Sequence, residues 1–349
     1  MVEVDVAVVG AGIAGAASSW SLVSAGRSVV LFEQFEIGHK HGSSHGTSRI
    51  FRFSYDDPQF VAMAMEALPL WHEIEARTGR TLLTLGGGLD AGAKVEDHAH
   101  ALEECGAHHE VMTGAEASKR WPQIRLPAQR PALWHPDAGI AHADTAIRTF
   151  VELATDAGAE LREKEQVTHL DISDGRATIA TTHNTYRAEV AVITAGAWAK
   201  SLLAQVDIDL PVTPTRETVT YFSIEEPRGF LTLVDWEDPP LYALPAPGMG
   251  LKAGVHHTGP VADPDDDGGV DQDVVARTAE WVAQRYPRAD PAPLLAETCL
   301  YTNTSDERFI FERHGPVVVA SACSGHGFKF GPVHGRRVAE LVLTGQDPR

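Results

Sequence analysis

Apolar and polar positions near the start of the chain change from one period to another within a short distance. Residues 3–34 contain a Val-rich apolar run, a glycine-rich turn, a segment with helical spacing and a second apolar run. A continuous apolar strand is typical of a parallel sheet that is covered on both faces. The segment therefore predicts a β-α-β unit.

Similar changes of pattern recur along the rest of the chain. Residues 211–300 instead alternate mostly like strands, with an acidic loop at 261–273 whose composition indicates an exposed surface. The remaining predicted elements are, in chain order, a helix over 59–78, a pair of strands over 79–92, a helix from the Thr-x-x-Glu sequence at Thr113, a helix and a strand over 144–172, a buried strand turning into a helix over 188–203, and a strand, glycine turn and helix over 315–345.

The glycines after the first strand predict a nucleotide site. Gly10, Gly12 and Gly15 form G-x-G-x-x-G between a predicted strand and a predicted helix. The first glycine permits the turn, the second lets the backbone approach a pyrophosphate, and the third allows close packing of the helix. Glu33 ends the second strand, where an acid accepts hydrogen bonds from a ribose. FAD and NAD sites share this motif. The alternative interpretation is that the three glycines only permit tight packing and bind no nucleotide.

Composition excludes some partners. The chain has 349 residues, 43% of them hydrophobic, and a formal net charge of -19, which argues against nucleic acid and anionic membranes as general partners. It has no apolar stretch of about 18 residues that could span a bilayer and no signal-peptide pattern at the N-terminus. The three cysteines show no C-x-x-C spacing. We therefore predict a cytoplasmic protein in a reducing compartment.

Residues 39–52, HKHGSSHGTSRIFR, offer several chemistries. His39, His41 and His45 could ligate zinc, the small residues between them could wrap a pyrophosphate, and Arg49 and Arg52 could hold an anion. These residues alone leave the three possibilities open. No cysteine or carboxylate nearby completes a tetrahedral metal site, so a metal is not expected. The other paired histidines, His98 with His100 and His108 with His109, are expected on the surface.

Five separated motifs together resemble one family. GAGIAG, GSSHGTSRIFR, SKRWP, CLYTNTSDERFI and SGHGFKF follow one another between residues 10 and 330. In this order they resemble the monomeric sarcosine oxidase family of FAD-dependent amine oxidases, which also includes N-methyltryptophan and pipecolate oxidases. The resemblance implies an α/β fold with a Rossmann-like FAD-binding domain built from residues 1–80, 142–210 and 299–349. It leaves residues 81–141 and 211–298 for a β-rich substrate domain.

The resemblance also implies which residues contact FAD. Cys299 matches a cysteine that bonds covalently to the flavin, although a buried inert thiol is the alternative. For the turn at residues 193–198, packing alone is also possible. The residues that match cofactor contacts are Gly10, Gly12, Ile13, Ala14, Gly15, Glu33, Gly42, Ser43, His45, Ser48, Arg49, Val167, Ala195, Gly196, Trp198, Cys299, Gly325, Gly327, Phe328 and Lys329.

Four cations match charged positions of the family's active site. Arg52 and Lys329 correspond to the pair that binds the substrate carboxylate, which suits a guanidinium and an ammonium. Arg49 and Lys252 correspond to cations near the flavin ring, where positive charge stabilises the anion formed when oxygen is reduced. For Arg52, Lys329 and Lys252, a surface role is the alternative.

Three further residues match the lining of the substrate pocket: His256, His326 and Tyr242. For each of them a structural role is as compatible with the sequence as a chemical one. The expected activity is oxidation of a small secondary α-amino acid such as sarcosine by O2, giving an imine and H2O2. A larger pocket near Trp236 would favour proline, pipecolate or N-methyltryptophan. The alternatives are an FAD-dependent dehydrogenase, a non-catalytic flavoprotein subunit and an NAD-dependent dehydrogenase.

Overall fold

The computed structural model describes residues 1–225 and 231–346. Residues 226–230 and 347–349, which belong to the two predicted domains, lie outside the described residues. The helices of the described part are α1 Ile13–Ser24, α2 Pro58–Thr78, α3 Val95–Glu104, α4 Gly114–Arg120, α5 Ala143–Asp156, α6 Ala199–Leu203, α7 Gln272–Arg285 and α8 Gly331–Thr344.

The strands of the described part belong to three sheets. They are β1 Val2–Val9, β2 Val29–Phe32, β3 Arg49–Phe51, β4 Leu83–Leu85, β5 Gly88–Gly92, β6 Glu110–Thr113, β7 Pro131–His135, β8 Gly139–Ala141, β9 Glu160–Arg162, β10 Val167–Ser173, β11 Arg176–Thr181, β12 Thr185–Ile193, β13 Thr213–Ile224, β14 Thr232–Trp236, β15 Leu241–Ala246, β16 Gly250–Val255, β17 Ala289–Asn303, β18 Ile310–His314 and β19 Val317–Ser321.

The first sheet has parallel strands at its centre. The order β12-β1-β2-β9 is parallel, β19 adds a further parallel neighbour to β12, and β10, β11 and β18 pair antiparallel at the edges. Side chains of β1 enter two different cores: Val6 and Val8 pack with α1, α5 and α8, while Ala7 and Val9 pack on the opposite face. Burial on both faces explains the continuous apolar run of β1. The predicted β-α-β unit and the α/β class are confirmed.

The second sheet is mainly antiparallel and has the order β17-β13-β16-β15-β14-β5-β7-β6. A third sheet, β3-β8-β4, has three strands. The predicted strand pair over 79–92 is wrong, because β4 pairs with β8 in the third sheet and β5 pairs with β14 and β7 in the second. Gly86 and Gly87 lie between them and donate their backbone N–H groups to the carbonyl of Ala138. The connection is therefore a crossing from one sheet to another and not a hairpin.

Helix α7 interrupts the region where the sequence predicted mainly strands. Its buried residues include Thr278, Trp281 and Val282, a helical spacing that the strand interpretation overlooked. The side chain of Asp271 begins the helix by accepting hydrogen bonds from two backbone amides, as an N-cap does. The preceding acidic loop is mostly exposed, as predicted, but Asp265 within it accepts a hydrogen bond from Trp198.

The helices of the described part of the chain include none that is both long enough and apolar enough to cross a bilayer. The cytoplasmic location and the division into two domains at the given residue numbers stay predictions.

Candidate active site

A cavity of about 570 Å³ lies at the carboxyl ends of the parallel strands. It is lined by the residues that follow β1, β2, β12 and β19, and by residues of β14, β15, β16 and β17 from the second sheet. Ligands of open α/β sheets bind at this end of the strands. Every predicted site residue lines the cavity except Gly15.

The glycine turn fits a close backbone approach. Gly10 has φ +97°, and a Cβ added there would lie 2.8 Å from the carbonyl oxygen of Thr194. A Cβ at Gly15 would lie 1.9 Å from the carbonyl oxygen of Gly10, so Gly15 lets α1 approach β1 without itself reaching the cavity. Gly12 precedes α1, whose N-terminus favours a negative group.

Glu33 is buried at the end of β2 and remains a carboxylate. It accepts hydrogen bonds from the backbone amides of Ala11 and Phe35, each at 3.0 Å, and lies 3.5 Å from Nε2 of His39. Burial alone would raise the pKa of Glu33, but His39 and the two amides hold it below its ordinary value. His39 and His41 also pack against the Phe35 ring, with centroids 4.8 and 4.3 Å away. These contacts give His39 and His41 roles that need no metal.

The segment from Gly42 to Ser48 is fixed by its own hydroxyl groups. Ser43 Oγ donates to the carbonyl of Leu300, Ser48 Oγ donates to the carbonyl of Pro245, and Ser44 Oγ accepts from the amide of Ile13. These bonds connect the segment to α1 and to the second sheet. The segment is therefore held in place as one wall of the cavity.

His45 lies in this wall with both ring nitrogens buried and without a hydrogen-bond partner in the described part of the structure. Burial, and then the positive charge of Arg49, lowers the pKa of His45 to about 3. The ring is therefore neutral at physiological pH. Unpaired buried polar atoms are costly, so these nitrogens indicate a missing partner in the cavity.

Arg49, Lys252 and Cys299 form a buried group beside this wall. Nη2 of Arg49 lies 2.8 Å from the carbonyl oxygen of Ser43 and 3.7 Å from Sγ of Cys299. Burial, and then the charge of Arg49, lowers the pKa of Lys252 to about 7. Burial also raises the pKa of the Cys299 thiol, and the charges of Arg49 and Lys252 only partly offset it. The cationic setting expected for Cys299 is present, yet burial keeps the thiol protonated.

A second pair of cations meets at Tyr55. The guanidinium carbon of Arg52 lies 4.6 Å from the centre of the Tyr55 ring, and Nζ of Lys329 lies 5.2 Å from it. Lys329 donates to the hydroxyl of Tyr55 at 2.6 Å and to the carbonyl of His326 at 2.7 Å. In the part of the chain described, no carboxylate forms an ion pair with Lys329. Burial, and then the charge of Arg52, lowers the pKa of Lys329 well below its ordinary value.

Asp90 forms an ion pair with Arg52 and orients its guanidinium. It is buried, lies 3.5 Å from Nη1 of Arg52, and accepts a 2.8 Å hydrogen bond from Nε1 of Trp236. Burial alone would raise the pKa of Asp90, but Arg52, the nearby His98 ring and a hydrogen bond from Ser54 hold it well below its usual range. His98 is buried against Asp90, so the prediction that it lies on the surface is wrong.

The predicted pocket histidines have tyrosine neighbours. Nδ1 of His326 lies 3.2 Å from the hydroxyl of Tyr55, and Nδ1 of His256 lies 3.4 Å from the hydroxyl of Tyr301. Burial lowers the pKa of both histidines well below its ordinary value. Tyr242 lies across from Gly254 in the β15–β16 pairing, and a Cβ at Gly254 would lie 2.8 Å from its hydroxyl oxygen.

Sequence reasoning missed the residues that support this site. Tyr55 lies only three positions after Arg52, and Tyr301 lies inside the quoted CLYTNTSDERFI motif, so both had a local signal. Ser44 lies inside GSSHGTSRIFR and was not assigned a role. Asp90 had no signal of its own, because it reaches Arg52 only through the pairing of β5 in the second sheet.

Known proteins agree with this description. The family described as FAD dependent oxidoreductase matches residues 5–341. The monomeric sarcosine oxidase of Bacillus sp. (strain B-0618) is 33% identical over 98% of this chain and 93% of its own length. The human peroxisomal sarcosine oxidase is 32% identical over 97% of this chain and 92% of its own length.

The fold is shared with a solved structure of NikD, an amino acid oxidase of nikkomycin biosynthesis, in its open form. That structure has a TM-score of 0.90 and 24% sequence identity, and the match covers 100% of this chain and 96% of NikD. The resemblance found in the five motifs is confirmed by the full-length relatives. The chain therefore belongs to the FAD dependent oxidoreductases and, within them, to the sarcosine oxidase family.

Proposed function

We propose that the protein is an FAD-dependent oxidase of small secondary α-amino acids such as sarcosine. Such an enzyme forms an imine, which water hydrolyses to an aldehyde and an amine, and it releases H2O2. The observation that carries the proposal is the pair formed by Arg52 and Lys329 around the Tyr55 ring. Lys329 is buried, Arg52 is largely buried, and among the described residues only Asp90, beside Arg52, forms an ion pair with either cation, so the pair suits an anionic ligand.

The residues of the cavity fit FAD. Gly10 and Gly12 line the cavity next to the N-terminus of α1, which suits a pyrophosphate, and buried Glu33 suits a ribose hydroxyl. The unpaired nitrogens of His45 supply polar atoms that a cofactor would satisfy. When bound, FAD accepts two electrons and a hydrogen from the substrate's N–C–H unit and passes the electrons to O2. We propose that the remaining predicted contacts hold FAD as the resemblance implies.

Arg52 and Lys329 would bind the substrate carboxylate and orient its amine. Asp90 fixes Arg52 at 3.5 Å, so the guanidinium is already positioned before a substrate binds. Trp236, held by Asp90 through a 2.8 Å hydrogen bond, occupies part of the cavity wall. A tryptophan fixed in this way favours a substrate with a small side chain. His256, His326 and Tyr242 would complete the pocket.

Arg49 and Lys252 would provide the positive charge for the reaction with O2. Both lie beside Gly46, since a Cβ there would be 3.4 Å from Nη1 of Arg49 and 3.5 Å from Nζ of Lys252. Cys299, 3.7 Å from Arg49, would hold the flavin through a thioether. We also propose that the protein acts as a monomer.

The test is the formation of H2O2 by the purified protein with a panel of N-methyl amino acids, proline and pipecolate. We expect a flavin absorption spectrum and the highest turnover with sarcosine. The O-linked analogue methoxyacetate, which keeps the carboxylate but lacks the amine, is the matched control and should give no H2O2. A protein without flavin absorption would contradict the cofactor. Turnover with an artificial electron acceptor but not with O2 would show a dehydrogenase instead.

A further inference from the structure

Two adjacent histidines and a glutamate meet at the edge of the cavity. His256 and His257 follow β16, and Glu307 lies in the connection between β17 and β18. Each of the three offers one ligand atom, and these atoms all lie within 4.8 Å of one another. Nδ1 of His257 and Oε1 of Glu307 are 3.7 Å apart. Two ligands of one tetrahedral Zn²⁺, each at about 2.0 Å, are separated by roughly 3.3 Å, so a small movement suffices.

The backbone at this place is unusual in a second way. His257, Glu307 and Ser324 have φ values of +57°, +59° and +40°, in the left-handed region that residues other than glycine rarely adopt. The described residues include six such positions, and three of them are gathered here. Ser324 belongs to the group because its carbonyl oxygen lies 3.3 Å from Nε2 of His257. Rare backbone conformations that cluster at one place point to a functional constraint.

We propose that His256, His257 and Glu307 form a binding site for a divalent transition ion such as Zn²⁺, and that the bound ion inhibits the enzyme. Two imidazoles and one carboxylate are ligands that Zn²⁺ prefers, and they leave one position for water or for a carboxylate from solution. His257 and Glu307 are exposed, so an ion can reach them from the solvent.

The bound ion would affect the cavity through two residues that line it, His256 and His326. His256 lines the cavity and contacts the hydroxyl of Tyr301. The backbone carbonyl of Glu307 lies 3.0 Å from Nε2 of His326, which also lines the cavity. An ion held between them would fix the β17–β18 connection against the end of β16. Substrate would then have less access to the pocket.

The experiment measures zinc binding and turnover separately. Equilibrium dialysis of the holoenzyme against ZnCl2 is expected to give one Zn²⁺ per chain, removed by EDTA, while Mg²⁺ should not compete because it prefers oxygen ligands. ZnCl2 should inhibit peroxide formation over the same concentration range, and EDTA should restore it. Because dialysis does not depend on turnover, it decides the metal site even if the proposed substrate is wrong.

The variants separate this site from other histidines. His257→Asn keeps a residue type that tolerates positive φ, and Glu307→Gln keeps the size of the side chain. Each should weaken zinc binding and inhibition at least tenfold while turnover without zinc is unchanged. The matched control is His314→Ala, which removes an exposed histidine 3.0 Å from Glu312 and should leave zinc binding as in the wild type. Unchanged zinc binding in both His257→Asn and Glu307→Gln, with native flavin spectra, would overturn the proposal.

Discussion

The charge of Lys252 offers a direct test of how the protein reacts with oxygen. Lys252 is buried, and no hydrogen bond or ion pair to its ammonium group occurs within the described ranges 1–225 and 231–346. Its Nζ lies 5.5 Å from the centre of the Tyr221 ring. Replacing it by Met keeps a long unbranched side chain and removes the charge. We expect Lys252→Met to slow the reaction with O2 while substrate oxidation changes much less.

The size of the effect follows from Coulomb's law. A unit charge about 4 Å from a developing anion contributes about 4 kcal/mol at an effective dielectric constant of about 20. At about 1.36 kcal/mol for each factor of ten, this corresponds to roughly a thousandfold in rate. Arg49 also lies beside Gly46 and keeps its charge in the variant, so the reaction should slow without being abolished.

Stopped-flow spectroscopy measures the two halves of the reaction separately. Anaerobic mixing with substrate gives the rate of flavin reduction, and mixing the reduced enzyme with O2 gives the rate of reoxidation. Equal slowing of both halves would show that Lys252 only shapes the cavity. The control is Lys40→Met, since Lys40 is largely exposed and should leave both rates as in the wild type.

The pKa of Lys252 adds a pH dependence to the same measurement. Because burial lowers this pKa to about 7, the ammonium form is present below that pH and is lost as the pH rises through it. A negative charge in the cavity favours the ammonium and moves the transition to higher pH. Reoxidation of the wild type should therefore fall with rising pH in a transition at or above about 7, and Lys252→Met should show no such transition. A wild type without the transition would contradict the assigned role.

Three further predictions concern the cofactor, the substrate and the fold. Acid precipitation of the wild type should leave a yellow pellet, whereas Cys299→Ser should release its flavin to the supernatant and Cys323→Ser should not. Arg52→Ala should raise the dissociation constant of methylthioacetate at least tenfold, measured by titration of the flavin spectrum, because it loses a charge-assisted bond. Gly15→Ala should lower the free energy of unfolding by about 1–3 kcal/mol or more, since its Cβ would lie 1.9 Å from a carbonyl oxygen. Gly269→Ala is the control: its Cβ would meet no atom within 4 Å, so its free energy of unfolding should equal that of the wild type.

Each of these predictions has a contrary result. A colourless pellet from the wild type would show that the flavin is not covalently bound. Arg52→Ala that binds methylthioacetate as tightly as the wild type would place the carboxylate site elsewhere. Thermal unfolding of Gly15→Ala at the temperature of the wild type would mean that α1 moves away from β1 without cost.

The sequence pattern predicted the first sheet well because the apolar residues of its central strands reflect burial on both faces of the sheet. The apolar run of β1 supplies residues to the two cores on opposite faces of the sheet. In the glycine turn, a Cβ at Gly10 or Gly15 would collide with backbone carbonyl oxygens. β1, α1 and β2 follow one another within about thirty residues, so their patterns form one β-α-β unit in the sequence even though some residues that pack on it, such as Thr194 beside Gly10, lie far along the chain. The predicted elements and the observed ones therefore agree there.

The errors come from contacts between distant segments. β4 and β5 are separated by two residues yet enter different sheets, which their alternating patterns do not record. His98 is polar and helical, and it is buried against Asp90 and against the ring of Trp236, which belongs to β14 far along the chain. The residues that orient Arg52 were missed for the same reason. Spacing along the chain cannot show which side chain a charged residue will meet.

Arg49, Lys252 and Lys329 are all at least largely buried in the cavity of a chain whose net charge is -19, and none of them forms an ion pair with a carboxylate in the described part of the structure. Burying cations without such partners costs stability. The lowered pKa values of Lys252 and Lys329 are the physical sign of that cost. An anion that enters the cavity reverses it, because the negative charge raises both pKa values and holds the protons on the lysines. The cations therefore suit anionic ligands, which in the proposed function are a substrate carboxylate at Lys329 and the charge that develops on oxygen at Lys252.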